Sequence, residues 1–302
     1  MFSIIIPTFN NLDYLKICLN SLKKNSTLEN EVIIHVNDGS DGTLDYLNSS
    51  NYRYTFSKEN LGVCSAVNLA VSKSKTNYLL YTHDDMYFLP DWDVILKKEL
   101  LHCKDNFFYL SGTMMGPDGL IKLDCGSTHH NFDEEKLLKH YAEHNLYNYQ
   151  GTHWAPHLIH KDIWNKVSGF SEEFNPGAGS DPDLNMKLWN HGVRIFKGIN
   201  DFKVYHFGSI VTRKYKNHPS IKTESGSRGA KIFLLKWGIS IKFFKKYILK
   251  SDIKYHGPLN KPKKNFNYFI NYVIDKFNYY YIKYIYNFGN KHNLINNEIN
   301  KN

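Results

Sequence analysis

Residues 3–10, Ser3-Ile4-Ile5-Ile6-Pro7-Thr8-Phe9-Asn10, form an apolar β-branched run that ends on polar side chains. After it the period changes: Leu12, Leu15, Leu19 and Leu22 recur at helical spacing. The spacing therefore predicts a strand over 2–6 and a helix over 12–22. Outward from this pair the pattern repeats, with strands expected over 31–36, 52–56 and 78–82 and helices over 41–47 and 63–72. Strands alternating with helices specify an α/β fold, a Rossmann-like and mostly parallel sheet with helices on both faces. Ligands of such sheets bind outside the carboxyl ends of the strands. Polar clusters fall at those ends: Thr8-Phe9-Asn10, Asn37-Asp38-Gly39-Ser40 and His83-Asp84-Asp85.

Beyond residue 105 the alternation loosens. Strands are expected over 107–111, 121–123, 193–196 and 203–205, with helices from about Asp162 and over 182–191. The chain has 302 residues, of which 42% are hydrophobic and 22% charged, which excludes wholesale disorder and fibrous classes. Its net charge of +9 is unevenly held. Residues 1–211 carry 19 Lys/Arg against 25 Asp/Glu, whereas residues 212–302 carry 19 against 4. This divides the chain into a mildly acidic body, 1–211, and a basic, aromatic, mainly helical extension, 212–302.

Cys18, Cys64, Cys103 and Cys125 are scattered, without a C-x-x-C pair, as expected of free thiols in a reducing compartment. The first ten residues lack a basic leader, so a cytoplasmic protein is expected. No window of about 18 residues is free of charge, which argues against a spanning helix.

Three acidic groupings carry the chemistry. Asp38, in Val36-Asn37-Asp38-Gly39-Ser40, either accepts bonds from a base or ribose or caps the next helix. Asp84 and Asp85 are adjacent at a strand end, where a divalent cation, Mn²⁺ or Mg²⁺, would offset their repulsion and bind a diphosphate. Asp181 and Asp183 lie in Gly177-Ala178-Gly179-Ser180-Asp181-Pro182-Asp183-Leu184, a loop entering a helix. An Asp there serves as a general base or as the helix cap. His206 ends the last expected strand and can offer a metal an imidazole nitrogen. His129, His130, His153, His157 and His160 are read as polar residues near an acceptor groove, and Trp154 as a sugar platform or a core side chain.

Together these segments resemble the inverting nucleotide-sugar glycosyltransferases of family 2, which have the GT-A fold. The matching segments are Ser3–Asn10, Val36–Thr43, Glu59-Asn60-Leu61-Gly62 through Asn68, Tyr78–Met86, Gly169–Leu184 and Val204–Ser209. The resemblance implies nucleotide-sugar contacts from Pro7, Thr8, Asn10, Asp38, Asn60, Gly62 and Asp84. It further implies metal binding by Asp85 and His206, a catalytic base at Asp181, and acceptor contacts from Trp154 and Asp183. His83 stands where the family's D-x-D motif has its first Asp, and Ser180 where its base motif has Glu. The implied reaction moves a sugar from a nucleotide-diphosphate donor to an acceptor hydroxyl, with inversion, in surface glycan synthesis. The acceptor would be a glycan or a lipid-linked one. A binding module with decayed catalysis and a sugar nucleotidyltransferase are the alternatives.

In the tail, Phe233, Leu234, Trp237, Ile241, Phe244, Tyr247 and Ile248 fall within an arc of about 140° on a helical wheel, with lysines opposite. Residues 231–250 are thus expected to form a basic amphipathic helix, lying on an anionic membrane surface or packed on the body. A second helix is expected over 266–288. Nucleic acid is not an expected partner, because no binding motif accompanies the charge.

Overall fold

A computed structural model describes residues 1–208 and 225–299, with side chains over 1–208 and 228–285. Its elements run β1 Ser3–Phe9, α1 Leu12–Asn25, β2 Glu31–Asn37, α2 Thr43–Asn48, β3 Arg53–Ser57, α3 Val63–Val71, β4 Tyr78–Tyr81 and β5 Met86–Phe88. There follow α4 Trp92–Leu100, β6 Phe108–Met115, α5 Glu134–His140, β7 Tyr149–Gln150, β8 His157–His160, α6 Lys161–Lys166, α7 Ser180–Asn190 and β9 Ile195–His206. Among the described residues the strands join one mixed sheet in the order β3-β2-β1-β4-β8-β6-β9-β5, with β7 on the side of β9. The first four strands are parallel, as the alternation predicts.

Pro7 does not interrupt β1. Beside β4 the register of β1 ends at Ile5, and beyond it β1 pairs only with β2. A residue without an N–H is tolerated where one side of the strand is unpaired. Ile4, Ile5, Ile6, Ile33, Ile34 and Leu80 are essentially inaccessible, so both faces of this parallel half are covered.

The second half departs from the sequence expectations in four places. The strands expected over 193–196 and 203–205 are one strand, β9, whose polar middle is engaged rather than looped. Asn200 receives the Leu146 N–H on its Oδ1 and donates its own N–H to Asn148. Residues 121–123 form no strand, only a single bridge from Ile121 to Met115. His157 and His160, read as polar residues near an acceptor groove, are the two ends of β8, a buried antiparallel strand between β4 and β6. Residues 92–100, for which no element is expected, form α4, seated by the buried Trp92.

The basic tail is an extension in sequence but not in space. The boundary expected at 211/212 lies outside the described residues. Past it, a helix over Ser225–Trp237 stops at Gly238, whose φ of 68° suits glycine, and a short turn Ile241–Phe243 runs into the π-helix Phe244–Leu249. The single amphipathic helix expected over 231–250 is therefore two pieces. Their apolar face is not offered to lipid, because Phe233, Phe243, Phe244 and Leu249 are buried in the core shared with the sheet. Burying such side chains contributes about 1.5–3 kcal/mol each. Backbone bonds from Gln150 to Ile253, Tyr255 to Asn148 and Leu259 to Arg194 stitch the following segment to the body.

Asp183 joins the two regions. It is fully buried, receives Ser171 Oγ at 2.6 Å and Trp237 Nε1 at 2.8 Å, and faces Lys236 Nζ at 3.0 Å. Lys236 is itself partly exposed, and its removal leaves the buried Asp183 with only the hydroxyl and indole donors. Lys236→Met is expected to destabilise the fold by about 1–3 kcal/mol, read as a lower urea midpoint. An unchanged midpoint would mean that the hydroxyl and indole donors suffice for Asp183.

Candidate active site

At the carboxyl ends of β1, β2 and β4 lies a crevice of about 390 Å³, within the range of small-molecule sites. Pro7, Thr8 and Asn37 form one wall, Asn60 and Gly62 a second, His83 to Asp85 the floor, and Pro176 to Asp181 the opposite lip. Residues far apart in the chain thus meet where parallel sheets present their ligand sites.

The Asp85–His206 pairing follows from strand register. β5 runs antiparallel to β9 with Met86 opposite His206, and the Phe207 N–H donates to the Asp85 carbonyl. This sets His206 Nε2 3.3 Å from Asp85 Oδ1, while His83 Nδ1 is 3.9 Å from the same oxygen. One donor atom from each of His83, Asp85 and His206 lies within 4.8 Å of the others. His206 Nε2 is buried and makes no aligned hydrogen bond among the described residues. A buried imidazole nitrogen aimed at a carboxylate and a second imidazole is a donor set that fits a divalent transition metal.

Asp84 points elsewhere. Its Oδ2 receives Thr8 Oγ1 at 2.6 Å and its Oδ1 receives Asn11 Nδ2 at 3.1 Å, so both oxygens are engaged. Burial, then repulsion from Asp85, raises its pKa in spite of these donors. Thr8 thus lines the crevice while holding Asp84 in place. Asn10 Nδ2 donates to Asp38 Oδ2 at 2.9 Å and to Ser40 Oγ at 3.1 Å. Both Asn10 and Asp38 have positive φ, 46° and 66°, and they lie outside the crevice wall, where Asn37 takes the inner position.

Asp181 sits in the first turn of α7, after the left-handed Gly179, which occupies the cap position expected of an Asp in this loop. Its side chain is 26% exposed, at the crevice lip. Among the described residues Oδ1 has no hydrogen-bond partner, and the basic group beside it is His157 Nδ1 at 3.9 Å. His157 provides no counter-charge: it is buried, its pKa is lowered to about 3 by burial, and Nδ1 bonds the Tyr109 hydroxyl at 2.9 Å. Desolvation therefore raises the Asp181 carboxyl to about 7, where a general base is poised for neutral pH.

Neither expected acceptor contact is among the residues lining the crevice. Asp183 is fully buried. Trp154 is half-buried and donates its indole N–H to the Gly112 carbonyl. Asn11 and Asn175 were not anticipated. Asn175 Oδ1 receives the Cys64 N–H and its Nδ2 donates to Ser65 Oγ, fastening the Asp181 loop to the start of α3. The tail helix backs the same loop. Arg228 Nη1 donates to the Asn175 carbonyl, and a Cβ at Gly229 would stand 2.0 Å from the Ala178 carbonyl oxygen.

Residues 3–110 match the model of Glycosyl transferase family 2. The chain is 30% identical over 239 residues to the hyaluronan synthase of Pasteurella multocida, covering 75% of this chain and 23% of that protein. Over 240 residues it is 31% identical to the chondroitin synthase of Pasteurella multocida strain Pm70, with the same coverage. The chain thus spans about a quarter of the length of these two relatives. Crystallised S. aureus TarS 1–349 superposes with a TM-score of 0.51 at 18% identity, covering 76% of this chain and 69% of that one. At that identity the likeness establishes the fold. The chain carries a family 2 glycosyltransferase domain with a GT-A fold.

Gly62 has φ +82°, and a Cβ there would meet Asn175 Oδ1 at 2.5 Å. Gly62→Ala is expected to cost about 1–3 kcal/mol from backbone strain alone, and more from the contact. In an Asn175→Ala background the added cost should shrink, leaving the strain and the contact with the residue 175 Cβ at 2.9 Å. Additive melting shifts in this double-mutant cycle would show that the two residues do not meet.

Proposed function

We propose that this protein is an inverting, divalent-cation-dependent glycosyltransferase that moves a sugar from a uridine-diphosphate sugar to a hydroxyl of a glycan acceptor. The observation that carries the reading is the desolvated Asp181 carboxylate, sharing one crevice with His83 and Asp85, beside which His206 completes a three-donor group. The uridine nucleotide is supported by the fold likeness to TarS in complex with UDP-GlcNAc, TM-score 0.51 at 16% identity. The glycan acceptor is supported by the names of the hyaluronan and chondroitin synthases. The four free cysteines support a cytoplasmic setting.

Asp181 accepts the proton of the acceptor hydroxyl as that oxygen forms its bond to the anomeric carbon. The bond from this carbon to the diphosphate breaks with its electron pair leaving on the phosphate oxygen, in one displacement that inverts configuration. Asp84 is unsuited to the base role, because Thr8 and Asn11 occupy both its oxygens. Asp85 and His206, with His83 as a third donor, would hold a cation that neutralises charge on the departing diphosphate. Two imidazoles among three donors favour Mn²⁺ over Mg²⁺, which prefers oxygen.

Asp181→Asn is expected to fold and to lose about 10²–10⁴-fold in transfer, measured as UDP released with an acceptor present. Near-parental turnover would remove Asp181 from the base role. Pyrophosphate release would mark a nucleotidyltransferase, and donor binding without turnover a binding module. In the parent, kcat/KM should rise with pH through about 7 as Asp181 ionises. Stability moves the opposite way. A carboxyl raised by folding loses stability as pH climbs from the ordinary carboxylate range to its folded value. Ligand-free Asp181→Asn should therefore melt above the parent at pH 8, with a smaller margin at pH 5.

Calorimetric titration should show Mn²⁺ binding more tightly than Mg²⁺, and His206→Ala abolishing the Mn²⁺ heat. UDP binding that is equal with and without EDTA would sink the cation's role.

A further inference from the structure

The terminal helix Phe266–Ile299 has two unlike faces. Its inner face seats on the body. Tyr268 and Tyr272 meet the Phe243 ring at centroid distances of 4.9 and 6.1 Å, and buried Asp275 receives the Ser240 N–H at 2.6 Å. The outer face carries Phe266, Phe269, Phe277, Tyr280, Tyr281 and Tyr284, each at least half exposed, with Phe277 at 72%. On a regular helix these six fall within an arc of about 120°. That arc holds no charged side chain over residues 266–285, and exposed aliphatic residues fill its gaps. A continuous apolar face of this extent on a folded chain marks a binding surface.

Charge identifies what covers it. Residues 241–285 contain 10 lysines against 2 aspartates. Lys263 and Lys264 lead directly into the helix and are exposed, and Lys283 is exposed beside the aromatic arc. A second copy of this chain would bring two such cationic surfaces together, which like-charge repulsion opposes. A nucleic acid would set its phosphates against a face whose centre offers rings instead of cations. An anionic bilayer answers both parts: its acyl boundary takes the rings and its head groups take the lysines. The exposed hydroxyls of Tyr280, Tyr281 and Tyr284 suit the same boundary, where a ring with a polar tip is at home. Among the described residues no helix is long and apolar enough to cross a membrane, so the helix lies in the plane of the surface. We propose that the outward aromatic face of Phe266–Ile299, fringed by Lys263, Lys264 and Lys283, docks this protein on an anionic lipid bilayer. The proposal is independent of the sugar-transfer reading.

The test is co-sedimentation of the full chain with vesicles of phosphatidylcholine, alone or mixed with phosphatidylglycerol. Binding should be about tenfold or more tighter on the mixed vesicles and should weaken as salt rises. Phe269→Ser/Phe277→Ser should lose about tenfold or more of that binding, with a circular-dichroism melt matching the parent. Lys263→Ala/Lys264→Ala should weaken it on the mixed vesicles alone. The proposal is overturned if the Phe variant binds vesicles like the parent. It is also overturned if the parent sediments as a dimer that the Phe variant dissolves, which would identify a second copy as the occupant.

Discussion

Four carboxylates gathered at one edge of a sheet must each be reconciled with removal from water, and the site is built from the different ways this is done. Asp84 is held by a threonine hydroxyl and an asparagine amide. Asp183 faces a lysine and receives an indole and a hydroxyl. Asp85 lies beside two imidazoles. Asp181 is left with an oxygen that no donor among the described residues meets. An uncompensated buried charge is costly, and proteins keep such groups where the energy is returned as reactivity. On the proposed reading, the contrast between a satisfied Asp84 and an unsatisfied Asp181 gives the first a structural part and the second a chemical one.

The parallel half of the fold was legible because its signals are local. Isoleucine-rich runs alternating with leucines at helical spacing have one economical solution, and the polar residues at the strand ends fall at its mouth. The antiparallel half was not legible in the same way. β5 has three residues and β8 has histidine at both ends, so neither carries a period, and both are fixed by pairing with distant strands. Asp85 and His206 could be named from motif order, but their proximity rests on the pairing of β5 with β9. Asn11 and Asn175 left no trace in any pattern, since their importance lies in hydrogen bonds made across the fold.

The tail shows how one pattern admits two destinations. The hydrophobic wheel over 231–250 is real, yet a wheel does not say whether protein or lipid receives it. Glycine at 238 ends the first helix, the chain turns, and the aromatic side chains enter the core beside the sheet. The apolar face that stays outside belongs to the next helix, whose sequence is richer in tyrosine and less obviously amphipathic.

Gly229 fits against Ala178 with no space for even one methyl, so the helix that carries it acts as a wedge behind the lip on which Asp181 sits. An excised unit ending where the composition turns basic would keep every motif by which the family is known. It would nevertheless lack the wedge, along with the indole and ammonium groups that neutralise Asp183. In this chain the packed unit is thus larger than its signature, and its reach is set by the partners of one buried carboxylate.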